Sequence, residues 1–184
     1  MASSTAAYGG GSPFPMTIGE VNALDDAEFV ALFGEIAEHS PWVAARACRS
    51  RPYIDRNGMI AAFANAVADA DEDDQLALIR AHPDLAGKAA IAGDVAPDSR
   101  KEQASAGLGS LTPEEYARFT ELNDRYRTRF GFPFILAVKG ATKDVILSAF
   151  EERVENSLET EFATALVQIE RIIRFRLEER IGEP

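Results

Sequence analysis

Apolar residues recur along most of this chain at helical spacing, and residues that start or stop helices punctuate them. Behind Asp25, the residues Phe29, Leu32, Phe33 and Ile36 lie on one helical stripe. Asp25 and Glu28 have the spacing of a capping box. Ser40-Pro41 predicts a cap with proline in the first turn, opening a helix through Trp42 and Val43 that ends before Pro52. Met59, Ile60, Phe63 and Val67 mark another apolar face, and residues 72–81 a short helix that delivers His82. Thr112-Pro113-Glu114-Glu115 opens a helix continued by Phe119, Leu122 and Tyr126, and Thr142 opens one bearing Val145, Ile146, Ala149 and Phe150. The pattern predicts an all-α, single-domain multi-helix bundle over residues 16–184, with no sheet of three or more strands.

One stretch breaks the period. Phe130-Gly-Phe-Pro-Phe-Ile-Leu-Ala-Val138 has the composition of a strand, but Pro133 argues against a central one and no partner strand is evident. An extended buried segment crossing a helical domain is the expectation. Residues 1–15 are rich in Gly, Ser, Ala and Pro and are expected to form a flexible tail, with Met16 an alternative start.

With 184 residues, 46% of them hydrophobic, the chain is long enough to bury a core. Its formal charge of -11 argues against nucleic acid and against an anionic membrane surface as partners. The lone Cys48 excludes an intrachain disulfide and a multi-thiolate metal site, and with only two histidines no metal is expected. No apolar run reaches membrane-spanning length, and residues 1–15 lack the basic start and apolar centre of a secretory signal. The expected compartment is the cytoplasm.

Three places are candidates for chemistry. Pro83 disfavours helical geometry at His82, so the imidazole sits at a helix end, where it is either a loop residue placed for proton transfer or a plain helix stop favoured by the macrodipole. As a loop residue it is expected to carry little of the core. In the last helix Phe162, Leu166, Ile169 and Ile173 lead to Arg176, so a guanidinium lands on an apolar stripe. It either snorkels to solvent or is a fixed cation facing an anionic ligand with its planar donor fork. Ser99-Arg100-Lys101-Glu102-Gln103 has capping-box spacing and reads as a helix start, or as a helix N-terminus that receives an anion or polar heterocycle, with Glu102 orienting an imidazole. The 130–138 segment reads as core packing, or as backbone whose N–H and C=O groups are free for a ligand. Lys88 and Lys139 read as surface charges, and no phosphate loop, dinucleotide motif or Ser/His/Asp signature is present.

Together these residues resemble the 2-oxo-4-hydroxy-4-carboxy-5-ureidoimidazoline (OHCU) decarboxylase family of urate breakdown. The resemblance rests on His-Pro-Asp-Leu-Ala-Gly-Lys at 82–88, Ser-x-x-Glu-Gln at 99–103, Ala-Gly-Leu at 106–108, Phe-Gly-Phe-Pro-Phe at 130–134 and Phe-Arg-Leu at 175–177. It implies an all-helical, cofactor-free, homodimeric carboxy-lyase that decarboxylates OHCU to (S)-allantoin. It also implies His82, Glu102 and Arg176 as the working residues. Pro83, Ser99, Arg100, Lys101, Glu102 and Gln103 are implied as substrate contacts, together with Phe134, Ile135, Leu136, Ala137 and Val138. Two other classes compete with this reading. A non-enzymatic helical interaction module would expose a broad apolar groove, and a cyclic-ureide hydrolase would want a metal-bound water that the histidine count does not favour.

Overall fold

Side-chain oxygens start most of the helices. Thr17, Asp25, Asp55, Asp71, Thr112, Thr142 and Ser157 each accept a backbone N–H in the first turn, supplying partners to groups that would otherwise have none. The computed structural model describes residues 14–182, so all but the last two residues of the expected 1–15 tail lie outside the described residues. In chain order the helices are α1 (Ile18–Ala23), α2 (Asp26–Phe33), α3 (Pro41–Cys48), α4 (Arg56–Ala68) and α5 (Glu72–Ala81). They continue with α6 (Lys88–Ala92), α7 (Pro97–Ser105), α8 (Pro113–Phe130), α9 (Lys143–Arg153) and α10 (Leu158–Arg180). The only pairing of extended backbone among the described residues is a parallel bridge between Met16 and Ile181.

The all-α expectation holds, with three local departures. The helix of Phe29 and Phe33 stops at Phe33; Ile36 is buried beyond it, in the turns before Ser40. Helices α1 and α6 have six and five residues, too few to show a period. Val145 lies on the outer face of α9, 56% exposed, while Ile146 and Phe150 go inward.

The buried apolar side chains form one cluster, and helix α10 runs through it past α4 and α5. An aromatic group gathers around Tyr126, whose ring lies 4.5 to 6.1 Å from those of Phe130, Phe132, Phe134 and Phe150. Gly131 ends α8 in the left-handed region at φ 75°, a geometry that costs glycine little, and turns the chain into residues 132–138. That stretch is extended and unpaired, with Phe132, Phe134, Ile135, Ala137 and Val138 all buried.

Polar groups fix its path. Phe134 stacks on Phe150 at 3.9 Å, and the Arg153 guanidinium lies 4.4 Å over the Phe134 ring. Arg153 donates to the Ile135 carbonyl at 2.7 Å and to the buried Glu161 carboxylate at 2.9 Å, and Tyr126 donates its hydroxyl to Glu161. Gln168 accepts the Ala137 N–H at 3.0 Å.

Candidate active site

Three separate pieces of chain meet at one buried guanidinium. Arg176 is only 4% exposed, and every N–H it carries has a protein partner. Its Nε and Nη2 donate to the two oxygens of Glu102 at 2.8 and 2.9 Å. Its Nη1 donates to Glu38 Oε2 at 3.0 Å and to the Ile36 carbonyl at 3.2 Å, and Nη2 also reaches Ser99 Oγ at 3.0 Å. Ser99 donates its own hydroxyl to Glu38 Oε2 at 2.8 Å. Burial works against the charge on Arg176, but the Glu102 and Glu38 carboxylates outweigh it and hold the guanidinium above its usual pKa. Of the two sequence readings of Arg176, the route to solvent is excluded. The fork is present, but its contacts are carboxylates of the protein itself.

His82 follows α5 in extended geometry, φ -74° and ψ 141°, as the following proline requires. It is 5% exposed, not an open loop residue. Its Nδ1 lies 2.9 Å from the Leu78 carbonyl. A carbonyl only accepts, so Nδ1 carries the proton and the neutral ring presents a lone pair at Nε2, which has no partner among the described residues. The tautomer is therefore set by Leu78 and not, as the sequence suggested, by Glu102.

Burial pushes the His82 pKa down from 6.5 to about 4, opposed by the hydrogen bond to Leu78 and by Glu38 and reinforced by Arg176 and His39. Between these two values the unfolded chain binds a proton that the folded chain refuses. The stability that His82 contributes is complete above pH 6.5 and is lost as the pH falls to about 4, on the order of 3 kcal/mol. Urea titrations at pH 7 and pH 4.5 check this, since His82→Asn flattens that part of the stability profile.

The three residues singled out from sequence, His82, Glu102 and Arg176, line one small cavity of about 30 Å³. Pro83, Leu85, Ser99, Gln103, Phe134, Ile135, Leu136, Val138 and Ile172 complete it. Such a space holds only a few water molecules. A larger cavity of about 270 Å³ adjoins it and shares Glu102, Val138, Ile172 and Arg176. Ala137 and Lys101 line only this outer space, where Lys101 pairs with Glu179 at 2.7 Å. Arg100 lines neither cavity. It is exposed and donates to the Gly93 and Val95 carbonyls, away from the residues gathered around His82.

Residues 99–103 are not a capping box. The cap of α7 is Ala96, and Ser99 and Glu102 lie within the helix on the face turned to Arg176. Gln103 is spent on the loop that carries His82: its Oε1 accepts the Ala86 N–H at 2.9 Å and its Nε2 donates to the Asp84 carbonyl. In the extended segment the Ile135 carbonyl and the Ala137 N–H are already used, but the N–H groups of Ile135, Leu136 and Val138 have no partner among the described residues.

Sequence reasoning missed Glu38. This carboxylate is 1% exposed, and its Oε1 has no hydrogen-bond partner. It lies in the aperiodic turns between α2 and α3, where no helical pattern marks an acid as misplaced. Among the described residues no group of three or more His, Cys, Asp and Glu side chains is arranged to hold a metal ion.

Residues 22–178 match the family model described as OHCU decarboxylase. A Haloferax volcanii protein named 2-oxo-4-hydroxy-4-carboxy-5-ureidoimidazoline decarboxylase is 48% identical over 167 residues, covering 91% of this chain and 97% of that one. A crystal structure of (S)-allantoin synthase superposes with a TM-score of 0.73 at 34% identity, covering 90% of this chain but only 54% of that one. A crystal structure of OHCU decarboxylase in the presence of (S)-allantoin shares the fold, with a TM-score of 0.66 at 22% identity over 84% of this chain and 96% of that one.

Proposed function

The chain belongs to the OHCU decarboxylase family, and from that premise we infer that it is a carboxy-lyase converting OHCU to (S)-allantoin in urate degradation. The observation that carries the reading is the convergence of His82, Glu102 and Arg176 on one cavity from three distant parts of the chain. In the reaction the bond between the ring and its carboxylate breaks and carbon dioxide leaves. The electron pair moves into the ring, and one proton is delivered to one face of the ring. The ring is itself the electron sink, so no cofactor is called on.

His82 is the proton carrier of this scheme. With Nδ1 tied to Leu78, it meets the substrate as a base at Nε2, and the same nitrogen returns the proton. The unpartnered N–H groups of Ile135, Leu136 and Val138 stabilise negative charge developing on the ring. Arg176 acts by holding Glu102 and Ser99 in place rather than by gripping the substrate with a free fork. The substrate reaches His82 in the inner cavity and extends into the outer one, past Lys101 and Ala137.

Glu102→Gln tests the second working residue. Glutamine keeps the shape but offers Arg176 one oxygen in place of two, so a guanidinium N–H is left facing an amide N–H. Turnover is expected to fall by about 100-fold or more, a loss comparable to removal of one preorganised polar contact. Circular dichroism of (S)-allantoin formed from fresh OHCU reads the rate. An unchanged rate removes Glu102 from the mechanism.

Homodimerisation and a cytoplasmic location belong to the same reading, and light scattering tests the first. The charge of -11 argues against a nucleic-acid partner. No helix among the described residues is long and apolar enough to cross a membrane.

A further inference from the structure

Glu38 is a costly residue to bury. One guanidinium faces two carboxylates, and Glu102 takes the bidentate position on it. Glu38 receives a single N–H from Arg176 and the hydroxyl of Ser99, both on Oε2, while Oε1 is sealed from water with nothing to accept. A glutamine would fill the same space without the charge. An amide oxygen could accept the same two hydrogen bonds, so these contacts alone do not call for a charge.

The site does gain something. Nη1 of Arg176 is held by Glu38 and by the Ile36 carbonyl, both from the turns between α2 and α3. Ser99 is clamped between Glu38 and Arg176 and lines the cavity. The charged and titratable groups acting on His82 are Glu38, Arg176 and the exposed His39, with Glu102 on the wall of the same cavity. Arg176 and His39 oppose a proton on the imidazole, and Glu38 favours one. A buried base that must hold a proton for part of each turnover needs such a charge nearby.

We propose that Glu38 is a positioning residue of the active site: it fixes Arg176 and Ser99 against the cavity that His82 lines, and its buried carboxylate belongs to the charge setting of that cavity. This rests on the decarboxylase reading for its catalytic consequence, though not for its effect on His82.

Glu38→Gln is the test, with three readouts. Turnover of OHCU is expected to fall by about tenfold or more, mainly in kcat, because Glu38 touches no part of the cavity that the substrate enters. Thermal stability is expected to hold or rise, since Arg176 keeps its bidentate partner Glu102 while a second, only partly satisfied buried carboxylate is removed. The third readout is an NMR titration of the two histidines, which needs no substrate. The His82 midpoint of about 4 is expected to move lower in the variant. An unchanged His82 midpoint overturns the proposal, and so does a kcat equal to that of the parent. If the variant folds poorly, Glu38→Asp retains the charge, and the same titration must then leave His82 near its original midpoint. Should the parent protein not decarboxylate OHCU, the functional reading fails, while the titration still decides whether Glu38 governs His82.

Discussion

His82→Ala is expected to lower the rate of OHCU decarboxylation by about 100- to 10,000-fold, the range a well-placed proton carrier is worth. The reason lies in one atom. Nε2 is the only ring nitrogen not engaged by the protein, and it belongs to a residue lining the cavity. The sequence places His82 in a loop and so predicts little effect on stability, but the ring is buried and its removal strands the Leu78 carbonyl. Loss of that partner costs about 1–3 kcal/mol. His82→Asn separates the two effects, because its amide N–H can still reach Leu78 while no base remains. Both variants are expected to lose the rate, and the asparagine variant to lose less stability in thermal melts. A His82→Ala enzyme that forms (S)-allantoin stereospecifically at the parent rate ends the role assigned to His82.

Arg176→Met is expected to have the largest effect on the fold. It leaves Glu38 and Glu102 without their shared cation and frees the Ile36 carbonyl and Ser99. Removing one side of a buried charge pair costs about 3–5 kcal/mol, much of it the penalty of the stranded charge. Adding Glu38→Gln to Arg176→Met is therefore expected to recover part of the loss in urea denaturation. Arg176→Lys retains a charge but not the planar set of donors, so it cannot serve both carboxylates, Ser99 and the carbonyl at once. It should fall between the two. Full stability in Arg176→Met would overturn the reading of this guanidinium as the tie that holds the two carboxylates in place.

The parts of the site that were legible in sequence are those where local rules act. Proline after His82 forces the helix to end there, and the structure shows that ending. The apolar stripe of α10 puts Arg176 inward, and it is buried. Glu102 was a candidate from the spacing of residues 99–103 and again from resemblance, and Pro83, Ser99 and Gln103 line the cavity with it. Arg100 lies apart from these residues for a reason visible in advance. A contiguous run of five residues on a helix cannot all face one space, and positions 99, 102 and 103 share a face that 100 does not. The extended segment was legible from Pro133 and the aromatics around it. Which of its backbone groups stay open was not, because Arg153 and Gln168 approach from distant parts of the chain. Glu38 and the Leu78 carbonyl were invisible for the same reason: their importance is created only by tertiary contact.

The bridge between Met16 and Ile181 has a mechanical consequence. Met16 donates to the Arg180 carbonyl at 2.8 Å, and Gly182 donates to the Met16 carbonyl at 2.9 Å. The two strands run parallel. A pull on the chain before Met16 and after Gly182 therefore drags them in opposite directions along their length. Both bonds are loaded together, in shear, and cannot peel apart one after the other. This clasp sits one turn beyond Arg176, so a tether at either end would strain it before the load reached the helix that carries the site.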